Sequence, residues 1–438
     1  MSKSARQIAY EILLKIETEQ AFSNLAIDSA VKMYNSDSTD CAFISRLVYG
    51  VTERKITLDY VISQHLTKPL KKTKPEILTI LRLGAYQLLF MDKIPQSAAV
   101  NESVKLAKSN KCDYASGLVN AILRKIGQNG FVINEGLNET EKISVAYSIP
   151  EETVKFLIYH YGKENAEAFL RSALEAKEIF IRVNTVKTTT EELKKLLIKE
   201  NVKVFDTYSE NALKIEINSA VYNLESFKKG LFHVEDMSSQ LCVEALELFP
   251  GATAIDVCAA PGGKTFTAAQ YMENKGVLYS CDIYSQRTEL IKAGAERLGL
   301  DCVKPFVNDA TIFNEALPQM DRVLCDVPCS GLGIIGKKPE IKYKKLDDTK
   351  PLLPIQKQIL ETSSKYVKSG GRLVYSTCSV NPNENRKICD AFLKENQDFY
   401  SVKVLPLVER AVDEGDYLTL FPHKNNCDGF FVAAFQRR

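Results

Sequence analysis

The sequence predicts a multidomain α and α/β chain: an all-helical domain over residues 1–130, a small α+β linker segment over 131–235, and an α/β domain over 236–438. Three observations carry this expectation. The amino-terminal part shows apolar residues at helical spacing with no strand-like alternation of any length. The part beyond residue 236 alternates short strand-like runs with helical patterns, which implies a mostly parallel, doubly wound sheet. At 438 residues the chain also exceeds one ordinary domain.

Ala5, Ile8, Ala9, Ile12, Leu13 and Ile16 mark one face of a first helix. Similar spacing runs through residues 42–66, 76–90, 98–107 and 116–126, with Pro75 and Pro95 as breaks and Gly127 and Gly130 closing the last run. In the middle segment, strands are expected at 181–186, 212–217 and 230–233. A helix is expected over 190–200, where Thr188 to Thr190 can cap it and Glu191 and Glu192 fall in its first turn. Further strands are expected at 252–257, 276–281, 303–307, 322–325, 372–375 and 430–435. Doubly wound sheets bind ligands at the carboxyl ends of their strands, so the chemistry should follow these runs.

Composition narrows the class. The chain is 45% hydrophobic and 26% charged, as in globular proteins. No apolar run approaches the ~18 residues of a membrane span, and the sequence opens on an amphipathic pattern rather than an apolar signal core. A cytoplasmic, monomeric protein without membrane contact is expected. Its 11 cysteines are irregularly spaced and odd in number, and no Cys-x-x-Cys occurs, so neither a disulfide framework nor a zinc site is expected. The 4 histidines, His65, His160, His233 and His423, stand apart and read as core or surface residues rather than metal ligands. Residues 1–130 hold 18 Lys and Arg against 12 Asp and Glu, which fits either a polyanionic partner or a solvated helical surface.

The most informative run is Asp256-Val-Cys-Ala-Ala-Pro-Gly-Gly-Lys-Thr265, a strand end leading into a helix. Gly262 and Gly263 let the backbone turn sharply, and the helix start offers free N–H groups to an anion. A P-loop would need glycine where Cys258 stands, and the Gly-x-Gly-x-x-Gly dinucleotide pattern is absent. S-adenosylmethionine, with its carboxylate on the loop, is the remaining nucleoside cofactor. The next strand ends at Asp282, placed to accept ribose hydroxyls. The third ends in Asn308-Asp309, where a carboxylate can meet an adenine amino group. Singly, each aspartate reads as a turn residue or helix cap; three successive strands ending this way favour a nucleoside site.

The fourth strand leads into Asp326-Val-Pro-Cys-Ser-Gly331 and the fifth into Tyr375-Ser-Thr-Cys-Ser379. Cys329 and Cys378 should therefore face one cleft, although both could instead be buried filler. Pro328-Cys329 stands where amino-group methyltransferases carry Pro-Pro-aromatic, so methylation of an amino nitrogen is disfavoured. Two thiols beside a methyl donor fit carbon-5 methylation of a pyrimidine. A thiolate added to carbon-6 makes carbon-5 nucleophilic, and an acid such as Asp326 near N3 and the exocyclic amine stabilises the adduct. Spacing alone does not say which cysteine attacks.

These motifs resemble the RNA cytosine-5 methyltransferases, and the whole chain resembles the bacterial 16S ribosomal RNA (cytosine-5)-methyltransferase B type. Pro95-Gln-Ser-Ala-Ala-Val-Asn-Glu-Ser-Val-Lys-Leu-Ala107 and Gly117-Leu-Val-Asn-Ala-Ile-Leu-Arg124 are similar to its NusB-like RNA-binding domain; Val234-Glu-Asp-Met-Ser-Ser-Gln240 and Asp428-Gly-Phe-Phe431 match further segments. The resemblance implies a NusB-like helical domain and a class I Rossmann-like methyltransferase domain acting on 16S ribosomal RNA. It further implies that Cys378 is the nucleophile, that Cys329 assists product release, and that Cys258, Ala259, Ala260, Pro261, Gly262, Gly263 and Lys264, with Asp282, Asp309 and Asp326, hold S-adenosylmethionine. Gly336 stands where relatives often carry arginine, while Lys337, Lys338 and Lys342 are expected to keep that loop basic. Asn383-Glu-Asn385 matches a weaker motif with no assigned role. The alternatives are a transfer RNA substrate, a non-catalytic RNA-binding assembly factor, and a protein or small-molecule methyltransferase.

Overall fold

The computed structural model describes residues 3–19, 23, 26–27, 29–30, 38–217, 220–404 and 412–438. The chain forms two compact units. One comprises residues 1–175 together with 335–346, the other residues 176–334 together with 347–438.

The first unit is helical. Its main elements are α1 (Ala5–Glu19), α2 (Ser38–Glu53), α3 (Lys55–Ser63), α4 (Pro75–Phe90), α5 (Gln96–Ser109), α6 (Ser116–Asn129), α7 (Glu139–Tyr147) and α8 (Glu151–Ser172). The apolar stripe of α1 is buried as its spacing requires, with Ile8, Ala9, Ile12 and Leu13 in a core shared with Leu47, Leu58, Leu81 and Leu123. The single run expected over 42–66 is two helices, separated at Arg54, whose ψ of 17° leaves the helical range. Pro75 opens α4 at its first turn, where a missing N–H costs nothing.

The second unit holds two sheets. In the smaller, β1 (Ile179–Val183), β2 (Lys203–Asp206), β3 (Ala212–Glu216) and β4 (Phe232–Val234) pair antiparallel in the order β2-β3-β1-β4. Helix α9 (Thr190–Lys199) crosses between β1 and β2, and Thr189 and Glu192 close a reciprocal capping box at its start. α10 (Met237–Glu244) follows β4, capped by Asp236.

The larger sheet is built from β5 (Thr253–Asp256), β6 (Val277–Asp282), β7 (Val303–Val307), β8 (Met320–Asp326), β9 (Val367–Thr377), β10 (Phe399–Val402), β11 (Val412–Glu414), β12 (Tyr417–Leu420) and β13 (Phe430–Arg437). Its order is β11-β12-β13-β9-β8-β5-β6-β7, with β10 on β13. β5, β6, β7, β8 and β9 run parallel, and β13 is antiparallel to β9. Helices α11 (Gly263–Tyr271), α12 (Ser285–Leu298), α13 (Leu352–Ser364) and α14 (Arg386–Glu395) connect these strands. From β5 the chain first extends the sheet through β6 and β7, then returns to β5's other side with β8. The order thus reverses between β5 and β8, the place where open α/β sheets leave a crevice for ligands. Among the described residues no helix is long and apolar enough to cross a membrane, and no cluster of His, Cys, Asp or Glu could hold a metal ion.

Candidate active site

The loop after β5 is fixed from beneath by a buried polar contact. Thr265 donates its hydroxyl to Asp256 Oδ2 at 2.7 Å, while Asp256 Oδ1 is buried without a partner. Burial pushes the Asp256 carboxyl up to about 7. The loop turns at Gly262, whose φ of +115° is left-handed; a Cβ there would meet the Phe266 ring at 2.3 Å. The Ala260–Pro261 peptide bond is cis. Within α11 the N–H of Phe266 bonds back to Gly262 O, leaving the N–H groups of the first turn at the helix start beside the switch point.

Two aspartates of the next strands have local partners. Asp282 Oδ2 pairs with Arg287 at 2.9 Å, and its Oδ1 accepts from the N–H of Tyr284. Arg287 also donates to Ala260 O at 2.9 Å, tying the strand ends of β5 and β6 together. Asp309 Oδ1 accepts from the N–H and hydroxyl of Thr311, so one oxygen serves a turn.

Asp326, at the end of β8, forms an ion pair of 2.9 Å with Lys264 and accepts from Ser376 Oγ at 2.8 Å. Lys264 is drawn from the start of α11 and lies 5.1 Å from the Phe430 ring centroid. Burial opposes its charge, but Asp326 outweighs that and holds the ammonium above its ordinary value. The residue pairing Asp326↔Ser376 in the β8–β9 ladder sets the register of the following loops.

That register brings the two cysteines together. Cys329 Sγ and Cys378 Sγ stand 3.2 Å apart, and both residues are partly exposed. The hydrogen bond to Cys378 and then burial raise the Cys329 thiol well above its ordinary range, helped by the charges of Glu384 and Asp326. Of the other cysteines, Cys41 and Cys258 are also partly exposed, and the rest are not. Cys112, Cys242, Cys281, Cys302, Cys325, Cys389 and Cys427 are buried, and burial, reinforced by nearby carboxylates, pushes Cys242 and Cys281 up to about 12.

Close backbone approach supports the cysteine loops. Gly333 donates its N–H to Cys378 O at 3.0 Å, and Gly429 donates to Gly333 O at 3.0 Å. A Cβ on Gly333 would lie 1.8 Å from Gly429 O, which explains a glycine at each place. The N–H of Asp428, next to Gly429, bonds to Asp236, the cap of α10. The Asp428-Gly-Phe-Phe431 and Val234-Glu-Asp236 segments singled out in the sequence therefore meet behind the site.

Of the Asn383-Glu-Asn385 motif, to which the sequence assigns no role, Glu384 and Asn385 are buried. Asn385 accepts from Thr377 Oγ1 at 2.6 Å and donates to Ser379 O at 2.8 Å, so it brackets Cys378. Glu384 is wholly buried and bonds to Ser330 and Ser379, the residues after each cysteine.

The expectation for Lys342 is corrected. Rather than adding charge to an exposed loop, Lys342 is only 2% exposed in the helical unit. Its ammonium reaches Glu53 O and Tyr147 O, the carbonyls ending α2 and α7, where helix dipoles favour a cation. Beside it, Tyr343 donates to Thr52 O at 2.6 Å.

The family described as 16S rRNA methyltransferase RsmB/F matches residues 243–436, and the NusB family matches residues 3–128. The probable ribosomal RNA small subunit methyltransferase B of Bacillus subtilis (strain 168) is 36% identical over 99% of both chains. The chain belongs to the ribosomal RNA small subunit methyltransferase B family. The corresponding protein of Synechocystis is 34% identical, again over 99% of each chain. Among solved structures, PH0851 superposes with a TM-score of 0.84 at 27% identity, covering 100% of both chains. NSun6 from Pyrococcus horikoshii with SFG, at 22% identity and TM-score 0.60, covers 66% of this chain and 98% of that one and shares the fold. The helical NusB-type domain, the methyltransferase domain and ribosomal RNA methylation read from the sequence all agree with this membership.

Proposed function

We propose that this enzyme methylates carbon-5 of a cytosine in 16S ribosomal RNA, using S-adenosylmethionine and a covalent adduct on Cys378. The observation that carries the reading is the 3.2 Å thiol pair at the carboxyl ends of β8 and β9. Either sulfur can donate in that contact; in this reading Cys329 donates and Cys378 accepts. A thiol donor at this distance stabilises negative charge on Cys378 sulfur, the form that adds to carbon-6 of the base.

The remaining residues divide the work. Lys264 and Asp326, paired at 2.9 Å between the β5 loop and the thiols, offer a donor and an acceptor to the polar edge of the base. Cys329, adjacent to the adduct, is placed to assist product release as the carbon-5 proton leaves and the carbon–sulfur bond breaks. The Cys258–Lys264 loop fits S-adenosylmethionine because Gly262 leaves room for close approach and the first turn of α11 presents N–H groups; Asp282 and Asp309 flank the nucleoside side. When bound, the cofactor supplies a methyl group on a sulfonium centre.

A polyanionic substrate also fits the helical unit. Lys71, Lys72 and Lys74 are exposed ahead of α4, and Lys74 lies 5.3 Å from the ring of Tyr114, itself 68% exposed. Such cation and ring surfaces suit a phosphate backbone and unstacked bases.

The test is methyl transfer from labelled S-adenosylmethionine to undermodified small-subunit ribosomal RNA, with transfer RNA alongside and nucleoside analysis of the products. Formation of 5-methylcytosine in ribosomal RNA alone supports the reading. Product in transfer RNA alone would overturn the substrate, and a product other than 5-methylcytosine would overturn the chemistry.

A further inference from the structure

Among the described residues no cation contacts the buried carboxylate of Glu384, yet four donors converge on it. Its Oε1 accepts from the Ser330 N–H at 2.7 Å and from Gln356 Nε2 at 3.0 Å. Its Oε2 accepts from Ser330 Oγ at 2.5 Å and from Ser379 Oγ at 2.7 Å. A carboxylate offers about four lone-pair sites and no donor, so this one is saturated. The two serine hydroxyls also touch one another at 2.9 Å.

The donors come from three separate segments. Ser330 follows Cys329, Ser379 follows Cys378, and Gln356 belongs to α13, from which it also donates to Pro328 O at 3.0 Å. Glu384 is itself anchored, since its carbonyl accepts from the hydroxyl of buried Tyr375 on β9 at 2.6 Å. One rigid acceptor thus holds the residues immediately after both cysteines, with the sulfurs 3.2 Å apart.

We propose that Glu384 is a positioning residue that clamps the β8 and β9 loops together and thereby sets the separation of the two thiols. The proposal deepens the two-cysteine reading of the site, but the clamp is a statement about geometry and can be tested without turnover. A carboxylate is suited because four donors converge on it. Glutamine could still accept from the Ser330 and Gln356 N–H groups. Its amide would then donate to both serine hydroxyls, leaving one hydroxyl proton without an acceptor and loosening the clamp. Alanine removes both acceptor oxygens and with them all four hydrogen bonds.

The probe is phenylarsine oxide, a trivalent arsenical that bridges two sulfurs only when they are held close. It is applied to the full-length wild-type chain, with Cys329→Ala and Cys378→Ala identifying capture at this pair by peptide mass mapping. Glu384→Ala should lose capture by about tenfold or more, and single-turnover methyl transfer should fall by at least a similar factor, since sub-ångström misplacement of reacting groups is costly. Glu384→Gln should fall between the two on both measures. Circular dichroism and S-adenosylhomocysteine affinity should stay at wild-type values.

Wild-type capture by folded Glu384→Ala would overturn the clamp, whatever happens to transfer. If Glu384→Ala does not fold, Glu384→Gln decides: unchanged capture and unchanged transfer would overturn the proposal. Capture lost with transfer retained would support the clamp and instead remove the paired cysteines from the reaction. The last outcome separates failure of the catalytic reading from failure of the positioning role.

Discussion

Asp256→Asn should make the methyltransferase unit more tolerant of alkaline pH. The wild-type carboxyl lies at the end of β5 with one oxygen bonded to Thr265 and the other buried without a partner. Burial raises it from 3.8 to about 7. A carboxyl that holds its proton more tightly when folded favours the folded state at low pH. That preference disappears as pH rises from the unfolded value near 4 through the folded value near 7. Each unit corresponds to ~1.4 kcal/mol, so wild type loses up to roughly 4 kcal/mol across this window. Asparagine carries no such linkage and retains an oxygen for Thr265. Urea unfolding at pH 5 and pH 8, with hydrogen exchange of β5 peptides identifying the unit's transition, should show the variant gaining on wild type by ~2–4 kcal/mol at the higher pH. A difference between the two proteins that is the same at both pH values would refute the reasoning.

Gly333→Ala forces a Cβ to within 1.8 Å of Gly429 O and 2.9 Å of Cys378 O, both backbone atoms. Methyl transfer should drop by on the order of a hundredfold through displacement of the cysteine loop, with S-adenosylhomocysteine affinity unchanged in calorimetry. Lys264→Met leaves Asp326 without its ion partner at side-chain exposures of 15% and 24%, so a cost of roughly 2–3 kcal/mol is expected, below that of a fully buried pair. Thermal unfolding would show it, and methyl transfer should fall with it; an unchanged transition would remove the pair from the stability of the site.

The parallel strands were legible because each is a short apolar run ending in a chemically distinctive loop. The positions of Asp256, Asp282, Asp326, Cys329 and Cys378 at strand ends follow from that pattern. The cap at Thr189 was legible for a similar reason, since the capping box is local. Strand β2 was not, because its residues are mostly exposed and lack the alternation of a half-buried strand. β10 and β12 lie outside the parallel alternation and are fixed by tertiary pairing with β13. Burial of Lys342 contradicts the ordinary exposure of lysine and depends on two helix ends distant in sequence. Glu384 was overlooked for the same reason: Ser330, Gln356 and Ser379 converge on it from three segments, and no spacing within Asn383-Glu-Asn385 announces them.

The division of labour between the thiols is tested most directly by trapping the RNA adduct. Cys329→Ala, incubated with S-adenosylmethionine and undermodified 16S ribosomal RNA, should accumulate a protein–RNA species stable to denaturing gels, with mass mapping placing the link on Cys378. Cys378→Ala should form no adduct and no 5-methylcytosine. Turnover by Cys378→Ala, or a link mapped to any other residue, would contradict the central claim.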